Sequence, residues 1–280
     1  MALALPLGMP GQAASQGPRG SDGTDGVDFT AIVALSNCSG SLVRFTSSRD
    51  SDPGLTLTNG HCYGSHFLRA GEVKANVASH RTFALLSSDG EDKLGTLTAR
   101  RLVYATMTTT DLAIYELNRS FADIEGEYGV KALTLSDRHP DEGEPITIAS
   151  GYWRRIYRCQ IEAFIPHLRE GAYTWRDSIR YSDSGCDVIG GTSGSPILDS
   201  RTHEVIGINN TGNESGERCT DNNPCEVDAE GRISVHYKTN YGEQTYWLYA
   251  CLDAQHRFDW SRPSCALPRP TGSAATLAGN

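Results

Sequence analysis

No stretch of this chain reaches the run of about 18 consecutive apolar residues that a bilayer-crossing helix needs, which excludes a membrane span of that kind. Positive charge is also short. The formal net charge is −9, and only four of the 25 basic residues are lysines (Lys74, Lys93, Lys131, Lys238). Such a surface argues against nucleic acid or an anionic membrane as partner. The eight cysteines contain no C-x-x-C pair, and only His61-Cys62 brings two ligand types together. A zinc centre therefore lacks its ligand spacing, and no metal or other cofactor is expected. No fixed-period repeat is present. The start lacks the positive charge of a signal peptide, although Ala2 to Met9 is short and apolar and Gly11 to Ala14 offers a small-residue cleavage site. Residues 1–28 are accordingly expected to be a signal-like, flexible lead-in, with the sequence starting inside a longer signal.

What is present describes a folded, oxidised protein. The 280 residues are 38% hydrophobic and 21% charged, enough for a substantial core. An even set of cysteines without metal spacing implies disulfides, and disulfides imply secretion. From Phe29 onward the texture is of short apolar or alternating runs between Gly, Asp, Asn and Ser. Residues 30–35, 41–45, 55–58, 72–77, 81–86 and 94–104 read as strands, followed by 145–150, 157–164, 178–181, 196–198, 205–208 and 233–237. Only Gly242–Ala254 has helical spacing. Two sets of about six strands and one late helix predict an all-β chain of two antiparallel six-stranded β-barrels with a C-terminal helix. The expected domains are 29–137 and 138–265, before a disordered tail over 266–280.

The stretch Gly190-Gly191-Thr192-Ser193-Gly194-Ser195-Pro196 is an odd way to begin a strand. Glycines before a serine suggest a tight turn whose backbone N–H groups point outward, where negative charge can develop. A hydroxyl nucleophile needs a base, and the base needs an orienting group. His61 is the best base candidate: it follows the apolar run 55–58 and adjoins Cys62, which Cys38 can staple from the head of the preceding strand. Asp111 opens the apolar segment Leu112-Ala113-Ile114 and suits the orienting role. Read singly, each has an ordinary alternative, namely a hairpin serine, a turn histidine and a capping aspartate.

Together, Thr-x-Gly-His-Cys, Thr-Asp-Leu-Ala and Gly-x-Ser-Gly-x-Pro, in the order His, Asp, Ser, resemble the trypsin/chymotrypsin-like serine proteases over roughly residues 31–252. The resemblance implies Ser193 as nucleophile, His61 as general base and acid, and Asp111 as orienter. It also implies an oxyanion hole formed by the backbone N–H groups of Gly191 and Ser193. Animal digestive members carry Asp just before the serine, to pair with a newly cut N-terminus. Thr192 stands there in this chain, and no Ile-Val-Gly-Gly-type start lies ahead of Ala31. Activation by N-terminal insertion is therefore not expected, and the variants look closer to the secreted bacterial branch.

By the same resemblance, Asp187, six residues before the nucleophile, is placed at the floor of the primary pocket, where it would select Arg or Lys. Asn209, Asn210, Thr211 and Gly212 form the opposite wall. Glutamyl-specific relatives place a histidine there, so asparagines disfavour glutamate. The family's cysteine four before the serine is Ile189 here, while Cys186 sits seven before it, so Asp187 can also face solvent. For the other cysteines, Cys219 and Cys225 close a short polar loop, Cys251 and Cys265 tie the late helix to the tail, and Cys159–Cys186 follows by elimination. Asp221, Glu226, Asp228 and Glu230 could suggest calcium, but an acidic solvated loop is the simpler reading. The expectation is a secreted, monomeric serine endopeptidase acting on proteins or peptides through an acyl-enzyme and open to a proteinaceous inhibitor. The alternative is a catalytically silent protease-like binding protein. An α/β-hydrolase esterase is excluded, because it needs Gly at position 195, the order Ser, Asp, His, and many helices.

Overall fold

The computed structural model describes residues 29–270 apart from Ser65, so the expected lead-in (1–28) and residues 271–280 of the expected tail lie outside the described residues. Its first seven strands are β1 (Ile32–Ala34), β2 (Ser39–Arg44), β3 (Pro53–Thr58), β4 (Val73–Ala78), β5 (Thr82–Leu86), β6 (Lys93–Thr106) and β7 (Leu112–Ser120). Six of them run in the order β1-β5-β6-β7-β3-β2, and pairing of β1 with β2 closes the ring. Strand alternation lets one strand serve two cores. On β7, Ala113, Tyr115 and Leu117 fill this barrel, while Leu112 and Ile114 pack with Leu198, Val205 and Ile208 of the C-terminal half. Burial on both faces is why 112–117 reads as a nearly continuous apolar run.

The chain then passes through α1 (Phe121–Tyr128) and continues with β8 (Leu133–Thr134), β9 (Pro145–Ser150), β10 (Arg155–Glu170), β11 (Tyr173–Tyr181), β12 (Pro196–Asp199), β13 (Val205–Gly212), β14 (Cys225–Val227), β15 (Ile233–Ser234), β16 (Asn240–Gln244) and α2 (Trp247–Ala250). Strands β11-β16-β13-β12-β9-β10 form the second ring, closed by the β10–β11 pairing. The architecture is thus all-β, with two six-stranded antiparallel barrels and a short C-terminal helix.

Ring membership departs from the strand count read from the sequence. Strand β4 pairs only with β6, outside the first ring, and β7 takes its place. In the second ring β16 replaces the segment 233–237, which shortens to β15. Residues 242–244, expected to start the helix, are held by ladders to both β11 and β13, leaving α2 a single turn. Helix α1 was not expected. Its start is a capping box: Ser120 Oγ accepts from the Asp123 N–H and the Asp123 carboxylate accepts from the Ser120 N–H. Phe121 and Ile124 anchor one face and Gly129 ends the helix in the left-handed region. Leu267 is buried and Tyr104 Oη donates to the Pro268 carbonyl, so the expected disordered tail does not begin at 266.

All eight cysteines pair as Cys38–Cys62, Cys159–Cys186, Cys219–Cys225 and Cys251–Cys265. Closing a loop of 24 residues, as Cys38–Cys62 does, is worth about 3.5 kcal/mol on the chain-entropy account.

Candidate active site

Three loops meet between the barrels. His61 follows β3, Asp111 precedes β7, and Ser193 lies in the turn leading into β12. The residue at position 60 must be glycine, because a Cβ there would run into the Thr106 carbonyl and lie 2.9 Å from Asp111 Oδ1. That close approach seats the His61 turn on the Asp111 loop. Asp111, fully buried, accepts from the His61 backbone N–H through Oδ1 and contacts the ring Nδ1 through Oδ2, both at 2.9 Å. One carboxylate therefore fixes both the backbone and the ring of the histidine. Asn59 Nδ2 holds the Asp111 carbonyl at 2.8 Å.

Cys38 and its neighbour tie this pair to the serine turn. The disulfide clamps β2 to the His61 turn, and the Ser39 N–H donates to the Ser193 carbonyl at 2.8 Å. Ser39 Oγ donates to the Gly191 carbonyl at 3.1 Å, while the Ser39 carbonyl accepts from Thr58 Oγ1. Gly191 has φ 90°, a conformation that favours glycine. Among the described residues, the N–H groups of Gly191 and Ser193 have no intramolecular acceptor, unlike those of Thr192, Gly194 and Ser195 around them. Ser193 Oγ donates to the Asn210 carbonyl at 3.4 Å rather than to His61. A loose contact of this kind is common before substrate tightens a catalytic geometry.

His61, Asp111 and Ser193 line one cavity of about 500 Å³. Asn209, Asn210, Thr211 and Gly212, the expected wall, line it too, together with Val188, Ile189 and Asn240. Asp187 does not: it is exposed, on the segment between Cys186 and the cavity wall, and is absent from the lining. The acidic side chains that do face the cavity, besides Asp111, are Glu170, Glu214 and Asp221, and among the described residues no Lys or Arg faces it. Glu170 sits at the tip of the β10–β11 hairpin, accepting from Thr211 Oγ1 at 2.6 Å and from the Asn222 N–H at 2.9 Å. Burial pushes its carboxyl above the usual range against those two bonds. Burial alone would depress His61, but the charge and hydrogen bond of Asp111, helped by the charge of Glu170, outweigh it and raise the imidazole.

Behind the wall lies Glu243, which sequence reasoning did not single out. It is 1% exposed and accepts from Ser178 Oγ at 2.9 Å and Asn210 Nδ2 at 3.2 Å, both on Oε1. Burial lifts its carboxyl well above the ordinary range, which favours the protonated form. Two atoms here, Glu243 Oε2 and Asn210 Oδ1, are buried without partners, and a protonated carboxyl carries a donor that a carboxylate lacks. The four carboxylates of the acidic loop do not gather into one cluster among the described residues. Glu226 pairs with Arg180, Asp228 and Glu230 pair with Arg232, and Asp221 turns to the cavity. Cys38, His61 and Cys62 cluster, yet both sulfurs are committed to a disulfide.

The sequence model of the trypsin-like peptidase domain matches residues 38–208, which span all three loops. The chain belongs to that family. This makes it a trypsin-like serine endopeptidase, with peptides or proteins as substrates. No curated protein sequence matches it. Among solved structures, the MamO protease domain of Magnetospirillum magneticum is similar at 12% identity, with 81% of this chain and 98% of that one covered and a TM-score of 0.50. The Cellulomonas bogoriensis chymotrypsin is 15% identical, covering 78% and 90% at a TM-score of 0.40. Nocardiopsis protease is 13% identical, covering 78% and 92% at 0.42. At 12% identity the MamO domain speaks to the fold alone.

Proposed function

We propose that this peptidase cleaves peptide bonds through Ser193, His61 and Asp111, by way of an acyl-enzyme on Ser193. The observation that carries the reading is the coincidence, in one cavity, of a carboxylate-held imidazole, a serine hydroxyl and two free backbone N–H groups in the turn that presents it. In the attack, rotation about χ1 takes Ser193 Oγ from the Asn210 carbonyl to the imidazole, which accepts its proton. The carbonyl oxygen of the substrate becomes an oxyanion received by Gly191 N–H and Ser193 N–H. Collapse of the tetrahedral species breaks the C–N bond, with His61 returning the proton to the leaving amine, and water repeats the sequence in reverse. Loss of one oxyanion donor costs about 10²–10³ in kcat.

The cavity's carboxylates support a preference for Arg or Lys close to the scissile bond. The exposed position of Asp187 moves that role to Glu170, Glu214 and Asp221. Four disulfides support work in an oxidising, extracellular setting. We read the enzyme as a secreted monomer whose cleft a proteinaceous inhibitor can also occupy. A fluorophosphonate probe tests the reading: it should label the wild type and leave Ser193→Ala unlabelled. A wild type that stays unlabelled leaves the chain a protease-like binding protein.

A further inference from the structure

The turn between β9 and β10, residues 151–154, puts two exposed aromatic side chains, Tyr152 and Trp153, beside the serine turn. Trp153 Nε1–H donates to the Gly190 carbonyl at 2.7 Å. Gly190 lines the cavity and Trp153 does not, so that carbonyl is drawn away from the cavity. A trans peptide is planar, with C=O and N–H pointing in opposite directions. No cis peptide occurs among the described residues, so holding the Gly190 carbonyl outward aims the Gly191 N–H inward. The next peptide is held in the same way, because Ser39 Oγ donates to the Gly191 carbonyl at 3.1 Å and itself accepts from the Tyr152 N–H at 3.0 Å. The turn also packs on this aromatic pair: a Cβ at position 191 would lie 2.8 Å from Tyr152 Cδ1 and 3.0 Å from Trp153 Nε1.

We infer that Trp153 is a positioning residue which, through its hydrogen bond to the Gly190 carbonyl, locks the Gly190–Gly191 peptide so that the Gly191 N–H faces the reaction site. The lock supplies from a surface turn the rigidity that Thr192 cannot supply by pairing with a charged N-terminus. It rests on the proposed role of Ser193 and the two N–H groups. Without the lock the peptide is free to turn over, presenting a carbonyl oxygen where the oxyanion forms. That arrangement opposes the transition state far more than the ground state.

The test is Trp153→Phe, which removes the indole N–H and keeps an aromatic ring, beside Ser39→Ala. On a peptide p-nitroanilide, kcat should fall about 10- to 100-fold for Trp153→Phe while KM stays within about twofold. A peptidyl aldehyde, which forms an oxyanion on Ser193, should weaken by a similar factor, and the matching peptide amide should bind unchanged. Unchanged kcat and aldehyde affinity overturn the inference, and so do equal losses in KM and amide binding. A second readout does not depend on catalysis. The Trp153 indole N–H, assigned by its disappearance in Trp153→Phe, should exchange with deuterium more slowly than a free exposed indole. Free exchange overturns the lock whatever the activity, whereas a protected indole in a wild type that fluorophosphonate does not label overturns only the role of Ser193.

Discussion

Glu170 shows how a single charge can tune a reaction it does not join. It lines the same cavity as His61, and its negative charge adds to that of Asp111 in favouring the imidazolium. A base must be neutral to accept a proton, so a raised imidazole moves the acid limb of kcat/KM to higher pH. Removing the charge by Glu170→Gln should shift that limb toward lower pH, by an amount readable in a pH–rate profile. A limb that moves upward or stays fixed contradicts the assigned electrostatics. The same variant should lower cleavage next to Arg or Lys in a peptide library, while Asp187→Ser should leave the preference intact. Asp187 was placed at the pocket floor by counting back from Ser193, but Ile189 in place of the family's cysteine already marked this segment as different. With its disulfide to Cys159 made from position 186, Asp187 follows the bridge outward. Glu170 itself reads in the sequence as one more polar residue beside a Gly-Ala turn. Only the folding of the hairpin over the cavity distinguishes it from a solvated one.

Among the elements, the all-β, two-barrel class was legible because alternating runs between turn residues mark short strands, although the ring strands β7 and β16 were not among those read. Errors fell where a segment's neighbours, not its own residues, decide. The spacing of Tyr246, Leu248, Tyr249 and Leu252 is helical, yet ladders to β11 and β13 claim 240–244 and leave one turn. Helix α1 did carry a local signal, Ser120-x-x-Asp123, inside a stretch dominated by strands. Ser120→Ala should cost about 1 kcal/mol in urea unfolding, the usual worth of an N-cap, and leave kcat unchanged. The clamp between β2 and the His61 turn should matter to both quantities. Replacing Cys38 and Cys62 together by Ala should lower stability by about 3.5 kcal/mol. It should also lower kcat, since the Cys38-Ser39 segment holds the histidine and serine turns at once. A double variant with wild-type kcat would show that the clamp serves stability alone.

For the whole molecule, the core between the barrels fixes the three candidate loops relative to each other. Leu57 and Ile114 from the first half meet Leu198 and Ile208 from the second, on the strands that carry or adjoin the three loops. Glu243 is buried within this frame, and its burial carries a consequence for stability. Its folded-state pKa is raised above the unfolded value, so the folded protein holds a proton that the unfolded chain releases. Stability should therefore fall as pH rises above the ordinary carboxylate range, by up to about 1.4 kcal/mol per pH unit. Glu243→Gln, which cannot ionise, should remove that slope in chemical unfolding measured across pH. An unchanged slope means that Glu243 is ionised in the folded state. Nothing in Gly242-Glu243-Gln244 announces burial; closure of the second ring by β16 produces it. The candidate site drew attention in the sequence for the opposite reason. His61 stands between Gly60 and Cys62, Ser193 stands before Gly194, and Asp111 opens the apolar strand β7, so local residue types mark all three positions.

The central claim is that Ser193 attacks and His61 takes its proton. Rapid acid quench of the enzyme with an activated ester of a peptide, followed by mass mapping, tests it most directly. The account predicts one acyl group per chain, located on Ser193, with its formation slowed at least about 10³-fold in His61→Ala. An acyl group on another residue, or acylation of Ser193 at the same rate without His61, would contradict it.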